Sequence, residues 1–278
     1  MSRSSYGYRS IKNDETIGLI LEDLAQKHPR EGFWKAYGRI RNQGLLVNHK
    51  KLHRIYKIKG LALRRKVKKR LPARIKEALV QPREMNETWS IDFVSDVLSN
   101  GRKFRSFNVI DDCNREVLFI ESDYSLKSSR VIWVLNHLIH RAGKPKKIRM
   151  DNGPEFIAGI AKRWSQMQEI EFKYIQPGKP TQNAYIERFN KSYREGVLDS
   201  YLFDDLEEVR TINEQWAHDY NYFRPHDALG GLSPMMWKCG QQTRPQPQPI
   251  AAHIPTSDLN NNNNKIEKLM KLSNLEVY

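Results

Sequence analysis

Three carboxylates stand where they could act together on a phosphate ester. Asp92 lies in a run of alternating apolar and polar residues, Asp151 opens the segment DNGPEF, and Glu187 follows after thirty-five intervening residues. A carboxylate inside a strand is costly unless it faces water, pairs with a cation or holds a metal ion. Three that converge suit two hard cations about 3.5–4 Å apart, and oxygen ligands favour Mg²⁺ or Mn²⁺ over zinc. The sequence therefore predicts a metal site for phosphoryl transfer.

The segment around Glu187 has the periodicity of an amphipathic helix. The polar side chains of one face recur at i, i+4, i+8 and i+11: Asn183, Glu187, Lys191 and Arg194. The neighbouring stripe is apolar: Ile186, Phe189, Tyr193 and Val197. The polar face would place a metal ligand beside groups suited to DNA phosphates. Taken alone, the pattern favours a surface helix stabilised by a Glu187–Lys191 pair, so the combination with the aspartates carries the prediction.

The segments between these carboxylates predict a mixed sheet. Period-two alternation gives a first strand around Asp92, and turn signals separate it from KFRSFNVID and REVLFIES in an antiparallel meander. Further elements alternate along the chain: a helix over about 125–142, strand KKIRM, a helix over about 154–168, strand IEFKYI, and helices over about 181–199 and 206–223. This order predicts an α/β protein in which helices flank a mixed sheet.

Positive charge is concentrated in the first third of the chain. The formal net charge is +15, and residues 1–85 carry all of it because acidic and basic residues balance in the remainder. A field of this kind favours a polyanion such as DNA. A solvated basic surface and an anionic membrane surface are the alternative interpretations.

The basic region predicts three helices, at about residues 13–27, 33–43 and from 48 onward. Asn13 and Asp14 are placed to cap the first. The second and third, joined by a turn at Gly44, are typical of a helix-turn-helix, and a plain helical bundle has the same apolar stripe. The candidate DNA contacts are Lys50, Lys51 and Arg54 of the third helix and, in the basic run that follows, Arg64, Arg65, Lys66, Lys68, Lys69 and Arg70.

Cysteine content and hydropathy exclude several classes of protein. Cys113 and Cys239 stand in unrelated contexts, which excludes a disulfide framework and a cysteine zinc finger and fits a reducing cytosol. His49 and His53 have ligand-like spacing, but no paired cysteines follow, so a zinc-binding domain is not supported. No apolar run could cross a bilayer and the start lacks a secretory signal, so a soluble intracellular protein with no membrane partner is expected.

Other polar residues have structural interpretations. Asp111 and Asp112 suit a hairpin turn, and Glu155 suits the start of a helix. His226, in RPHDALG, fits loop packing and DNA contact equally well.

The sequence resembles the insertion-sequence transposases of the retroviral integrase superfamily, specifically the catalytic product of the second of two overlapping frames. The resemblance runs from about residue 10 to Gly240 and is carried by GFWKAYGRIRNQG, NHKKLHRIY, WSIDFVSD, DNGPEF, NAYIERFNKSYRE and DYNYFRPHDALGGLSP. It implies an RNase H-like catalytic core in which Asp92, Asp151 and Glu187 bind the metal. The implied reaction releases a 3′-OH at an element end by hydrolysis, and this 3′-OH then attacks another DNA phosphodiester.

The resemblance also implies partners and a domain order. The expected partners are DNA, both element ends and target, further copies of the chain on that DNA, and an upstream-frame helix-turn-helix product, in the bacterial cytosol near the nucleoid. The expected divisions are a helix-turn-helix domain at 1–63, a basic linker at 64–85, an RNase H-like core with C-terminal helices at 86–240 and a disordered tail at 241–278. The alternatives are a catalytically silent DNA-binding regulator and a purely hydrolytic nuclease.

The basic run yields the first testable prediction. Replacing Lys66, Lys68 and Lys69 by alanine should weaken DNA binding and flatten its salt dependence, because fewer counterions are released from the phosphates. Titrations at several salt concentrations measure the slope, and an unchanged slope would instead assign the run a structural role.

Overall fold

A five-stranded mixed sheet lies at the centre of the fold. The computed structural model describes residues 14–63, 79, 81–157, 159–175 and 180–240, all within one compact unit. The strands are β1 (Thr88–Val97), β2 (Lys103–Asp111), β3 (Val117–Asp123), β4 (Lys147–Met150) and β5 (Glu171–Tyr174). Their order is β3-β2-β1-β4-β5, with β1, β2 and β3 antiparallel and β1, β4 and β5 parallel. This mixed topology, flanked by helices, confirms the predicted RNase H-like α/β core.

Nine α-helices accompany the sheet in the described residues. They are α1 (Glu15–Lys27), α2 (Phe33–Asn42), α3 (His49–Ile58), α4 (Ser128–Ala142), α5 (Pro154–Ile157), α6 (Gly159–Met167), α7 (Ala184–Tyr193), α8 (Leu206–Tyr222) and α9 (Pro234–Lys238). None of the helices in this part of the chain is long and apolar enough to cross a membrane.

Both faces of the sheet are covered, so each has its own apolar core. Trp89 and Ile91 of β1 pack on one face with α4 and α6, while Val94 of β1 packs on the other with Phe189 and Tyr193 of α7. The period-two alternation of β1 therefore distributes side chains between two buried layers. Burial of each large apolar side chain contributes about 1.5–3 kcal/mol.

One predicted helix differs in detail from the observed structure. The helix predicted over 154–168 is represented by α5 and α6, on either side of residue 158, which lies outside the described residues, whereas the one predicted over 181–199 consists of a 3₁₀ turn, α7 and a π turn at Arg194–Leu198. Gly196 in that π turn lies against the Trp216 indole. A Cβ at this position would come within 2.5 Å of Nε1, so only glycine allows the two elements to approach this closely.

The predicted capping of α1 is wrong in part. Asp14 is the N-cap residue, but its side chain makes no capping hydrogen bond. The carboxylate instead pairs with Arg54 at 2.6 Å and Lys51 at 3.5 Å on α3, because the packing of α1 against α3 brings these cations within reach. The Asn48 side chain does cap α3, accepting from the Lys50 amide at 2.8 Å.

A buried arginine joins the helical region to the catalytic core. Arg39 of α2 is 2% exposed; it donates to Glu31 at 2.7 and 3.1 Å and to Asp219 of α8 at 2.8 and 2.7 Å. Arg224, just after α8, also pairs with Glu31. Burial opposes ionisation of Glu31, but hydrogen bonds and charge from the two arginines outweigh it and lower the pKa to about 2. The predicted boundary between the helical region and the core is therefore crossed by a packed ionic contact.

The loop after α8 packs against α2, and His226 belongs to that packing. Its ring meets the Tyr220 ring edge-on at 4.8 Å, and its backbone bonds to Leu232 and Gly231. The Nε2 atom is sealed from solvent without a hydrogen-bond partner among the described residues. Of the two interpretations left open by the sequence, the structure favours loop packing. The basic run at 64–70 and the predicted tail at 241–278 lie outside the described residues, so the linker and tail stay predictions.

Loss of the Arg39 contact should strongly destabilise the protein. Arg39→Ala would leave two carboxylates without their principal cation in a poorly hydrated interface, at a cost of about 3–5 kcal/mol. Urea denaturation followed by fluorescence measures the free energy of unfolding. The control Lys27→Ala removes an exposed pair with Asp23 and should cost less than about 1 kcal/mol. Equal losses in the two variants would contradict the proposed importance of the buried contact.

Acidification should destabilise the fold through His226. Burial, followed by the charges of Arg224, Lys35 and Arg115, lowers the pKa of His226 to about 3, from 6.5 for an exposed ring. As the pH falls below about 6.5 the unfolded chain takes up a proton that the folded chain does not bind until about pH 3, so stability present at pH 7 is progressively lost. Between pH 7 and 5 the loss from this residue should be about 2 kcal/mol.

Chemical denaturation at pH 7 and pH 5 checks the predicted loss of stability on acidification. His226→Gln should show a smaller loss than the wild type by that amount, whereas His140→Gln, at an exposed position of α4, should behave as the wild type does. The same pH dependence in wild type and His226→Gln would contradict a buried neutral ring.

Candidate active site

Asp92, midway along β1, and Asp151, directly after β4, lie on adjacent strands. β1 and β4 are parallel neighbours, and their register pairs Ser90 with Arg149. Each aspartate lies two residues farther along, so the register brings both carboxylates to the same level and the same face of the sheet. Asp151 comes directly after β4, and its Oδ1 accepts a hydrogen bond from the Gly153 amide at 3.1 Å. This link holds the carboxylate at the strand end.

Helix α7 brings Glu187 to the same face. The helix packs on β1 and β2 through the predicted apolar stripe, whose four members are at most 2% exposed: Ile186, Phe189, Tyr193 and Val197. That part of the prediction is confirmed. Glu187 lies on the exposed side of this stripe.

A hydrogen-bond chain ties α7 to Asp92. Asn190, one turn after Glu187, donates to Asp92 Oδ2 at 2.7 Å and accepts from Asn108 of β2 at 2.7 Å. Asp92 Oδ1 accepts from the Phe93 amide at 2.8 Å. Both carboxylate oxygens are thereby oriented, and the helix that carries Glu187 is tied to the strand that carries Asp92.

A second network fixes the far end of α7. The Tyr193 hydroxyl bonds to Ser106 at 3.0 Å and donates to Asn213 of α8 at 2.8 Å. Asn213 donates to Ser122 at 2.9 Å, and Ser122 bonds to Ser106 at 2.7 Å, which closes a ring of four side chains. All four are at most 2% exposed, and burial raises the pKa of Tyr193 to about 12, so the hydroxyl stays neutral.

The three carboxylates share one electrostatic environment. Burial is the largest cause that raises the pKa of Asp92 to about 6, and the negative charges of Asp151 and Glu187 raise it further against the hydrogen bonds from Phe93 and Asn190. Burial also raises the pKa of Glu187. Within the described residues none of the three has a lysine or arginine partner. Across that same part of the chain, no three His, Cys, Asp or Glu side chains close around a common point.

The donor set fits a hard divalent cation. The carboxylates of Asp92 within β1, Asp151 after β4 and Glu187 on the facing helix supply only oxygen ligands. A cation would offset the charges of Asp151 and Glu187, which add to burial in raising the pKa of Asp92. Among the described residues no three His, Cys, Asp or Glu side chains, these carboxylates included, are close enough to hold a metal ion in the present arrangement.

Sequence reasoning missed two residues that organise the site. Asn190 could have been found, because it lies three residues after Glu187 and therefore on a nearby face of the helix. Arg105 of β2 could not, because its role depends on tertiary contacts: it pairs with Glu155 and lies 4.1 Å from the Phe93 ring. Burial opposes ionisation of Glu155, but the Arg105 bond prevails and lowers its pKa. The segment that follows Asp151 is thereby fixed to the sheet.

The predicted DNA-contact residues of α7 differ in their exposure to solvent and in their contacts. Asn183 is 3% exposed, so the expectation that it shares an accessible face with Lys191 and Arg194 is wrong, because α7 begins inside the fold. Lys191 lies 3.8 Å from Glu195. Arg194 donates to the Ser95 carbonyl at 3.0 Å and remains partly exposed.

The predicted contacts on α3 also divide into two groups. Lys51 and Arg54 are about two-fifths exposed and share the Asp14 carboxylate, whereas Lys50 is exposed and has no ion pair within the described residues. The predicted contacts of the basic run lie outside the described residues: Arg64, Arg65, Lys66, Lys68, Lys69 and Arg70.

Comparison with known proteins gives consistent matches across the chain. Residues 82–180 and 168–234 match family profiles that are each described as integrase core domain. A protein of insertion element IS407 from Burkholderia multivorans is 37% identical over 236 residues, which cover 84% of this chain and 85% of the relative. Transposase InsD for insertion element IS2 from Escherichia coli is 26% identical over 242 residues, which cover 82% and 80%.

Among solved structures, the HTLV-2 integrase catalytic core domain in complex with magnesium has a TM-score of 0.44 and 18% identity, covering 54% of this chain and 94% of that one. The family matches and the extended identity to insertion-element proteins agree with the sheet order. The chain therefore belongs to the insertion-sequence transposases of the retroviral integrase superfamily, and it is a DNA transposase with the polynucleotidyl transferase core of that family.

Proposed function

We propose that this transposase cleaves and joins DNA through Asp92, Asp151 and Glu187, which would together hold two divalent ions, Mg²⁺ or Mn²⁺. The observation that carries the proposal is that Asp92 lies in the negative field of Asp151 and Glu187, while none of the three has a cationic partner in the described residues. Two other buried carboxylates of the chain, Glu31 and Asp112, do have arginine partners. Unbalanced negative charge on the adjacent parallel strands β1 and β4 and on α7 matches a cation-binding role.

The proposed reaction consists of two displacements at phosphorus. In the first, water forms a bond to phosphorus at an element end, and the 3′-oxygen leaves as a 3′-OH. In the second, this 3′-OH forms a bond to a target phosphorus, and the 3′-oxygen of the target strand leaves. The chemistry supplied at such a site by two hard cations is activation of the attacking oxygen and stabilisation of the leaving oxygen. One phosphodiester replaces another in the second step, so no nucleotide cofactor is required.

The protein itself contributes orientation. Asn190 and the Phe93 amide fix the Asp92 carboxylate, and the Gly153 amide fixes that of Asp151. Glu187 is held by the packing of α7, since its side chain makes no hydrogen bond within the described residues. A ligand set held in this way limits the rearrangement needed when metal and DNA bind.

DNA is the proposed partner in two roles, as element end and as target. The helical region at 1–63 and the linker at 64–85 would bind DNA and the core at 86–240 would act on it. Lys50, Lys191 and Arg194 are the described cations that we assign to the phosphates, supported by Lys51, Arg54 and the basic run. We also propose that several copies of the chain assemble on the DNA and that they act together with an upstream-frame product.

Removal of any one of the three carboxylates should abolish joining. Asp92→Asn, Asp151→Asn and Glu187→Gln should each reduce strand transfer of a pre-cleaved 3′-OH end into a plasmid by at least about 10²-fold, because a charge that stabilises the transition state is lost. The matched control is Asp123→Asn. In the wild type, Asp123 Oδ1 accepts a hydrogen bond from the backbone amide of the next residue, Tyr124. Asp92 Oδ1 accepts the same kind of hydrogen bond from Phe93.

The control variant should join DNA at the wild-type rate. Mn²⁺ should also raise the melting temperature of the wild type and of Asp123→Asn, but not that of the three site variants, since only a protein that binds the ion is stabilised by it. Unimpaired joining by the site variants would refute the assignment. Cleavage without joining by the wild type would indicate a hydrolytic nuclease, and DNA binding with neither reaction would indicate a silent regulator.

A further inference from the structure

An open cleft of about 570 Å³ lies between the amino-terminal ends of α2 and α3. Six side chains line it: Phe33, Trp34, Lys35, His49, Lys50 and His53. The described lining thus combines aromatic rings with two lysines and two histidines and includes no carboxylate; the Lys35 ammonium is paired with Asp227, outside the lining, at 3.2 Å. Its chemistry is suited to an anion that also has a flat apolar face.

The indole of Trp34 is the main apolar surface of the cleft. It is 65% exposed, whereas Trp89 and Trp164 of the core are 0% and 8% exposed. The His49 ring lies within 30° of parallel to it, with centroids 6.3 Å apart, and Phe33 supports it edge-on at 5.1 Å. A large aromatic face is therefore held in position by neighbouring rings while remaining open to solvent.

The cleft is fixed relative to the catalytic core. Lys35 donates to the Pro225 carbonyl at 2.8 Å, and Asn42 donates to the Gly231 carbonyl at 3.3 Å. Gly38 packs so closely on Pro225 that a Cβ there would lie 2.7 Å from the proline ring. A group bound at Trp34 would accordingly be held at a defined position with respect to α8 and the loop that follows it.

An unpaired nucleotide is the ligand that matches these features. Bases inside a duplex stack on one another and present only their edges in the grooves, so the interior of a duplex has no free base face to offer an indole. An unpaired base does have one, and stacking on an aromatic side chain is largely independent of sequence. Lys50, exposed beside the indole, is placed to meet the phosphate of the same nucleotide.

We propose that the Trp34 cleft binds an unpaired nucleotide of the bound DNA, with the base stacked on the indole and the phosphate near Lys50. The site rests on the proposed function, in that strand cleavage and joining at an element end expose single-stranded DNA next to the catalytic core. It adds to that function a place where a displaced or overhanging strand is held.

Fluorescence of 2-aminopurine tests the site directly. The probes are a duplex with a short single-stranded tail that carries 2-aminopurine and a blunt duplex that carries it in a base pair, mixed with the full chain in EDTA. Wild-type protein should quench the tail probe and bind the tailed duplex more tightly than the blunt one. Trp34→Ala should abolish the quenching and weaken binding of the tailed duplex about tenfold, while Trp34→Phe should retain part of both effects.

Trp133→Ala is the matched control. Trp133 of α4 is 52% exposed and stacks with His137 at 5.8 Å, but it lies away from the cleft. This variant should quench and bind as the wild type does. Quenching that persists in Trp34→Ala, or an equal loss of affinity for tailed and blunt duplexes, would overturn the proposal. Because the assay contains no divalent ion and measures no joining, its failure would leave the assignment of Asp92, Asp151 and Glu187 to the joining assay.

Discussion

The closed ring of hydrogen bonds among Ser106, Ser122, Tyr193 and Asn213 is the interaction on which the rest of the site depends. Water is excluded from it, so a broken member would leave polar groups unsatisfied at a cost of about 1–3 kcal/mol each. The ring joins two strands to α7 and α8, and it therefore fixes both the rotation and the translation of α7 on the sheet. Glu187 reaches the face of the two aspartates because of that fixed position.

In the site, hydrogen bonds and packing hold carboxylates whose negative charges repel one another. Parallel pairing of β1 with β4 brings two carboxylates together, and α7 adds a third, while hydrogen bonds from Asn190 and two backbone amides hold the aspartates in place. Burial and, after it, the like charges of Asp151 and Glu187 disfavour the ionised Asp92 carboxylate and raise its pKa. A loss of stability of this kind is typical of functional sites, because the surrounding fold holds together charges that repel one another.

The helical region also contains a buried charge, but this charge is positive and has partners. Arg39 brings a positive charge into a poorly hydrated interface, but Glu31 and Asp219 compensate it with well-oriented hydrogen bonds. A buried charge that loses its partner is strongly unfavourable, so this contact specifies how α2 docks on α8. The Trp34 cleft and the basic α3 are consequently presented in a defined orientation to the core.

Much of this architecture follows from local sequence. Period-two and period-3.6 patterns identified β1 to β5, the helices of the amino-terminal region and the apolar stripe of α7. A strand or helix that buries one face has apolar residues at regular intervals along the chain. The types and spacing of Asp92, Asp151 and Glu187, with the family motifs around them, predicted the candidate site. The register of β1 with β4 places Asp92 and Asp151 on one face of the sheet, and α7 carries Glu187 to that face.

Contacts between distant residues were decided only by the tertiary structure. No periodicity reveals that Asn190 bonds Asp92, that Arg105 pairs with Glu155, or that Asp14 serves α3 and not its own helix, because each depends on which elements become neighbours. Burial of Asn183 and exposure of Trp34 were likewise hidden, since a helical pattern gives the apolar stripe but not what covers each end of it. The sequence by itself determined the elements and the chemically active residues; strand register and helix docking, which depend on long-range packing, determined how those residues meet.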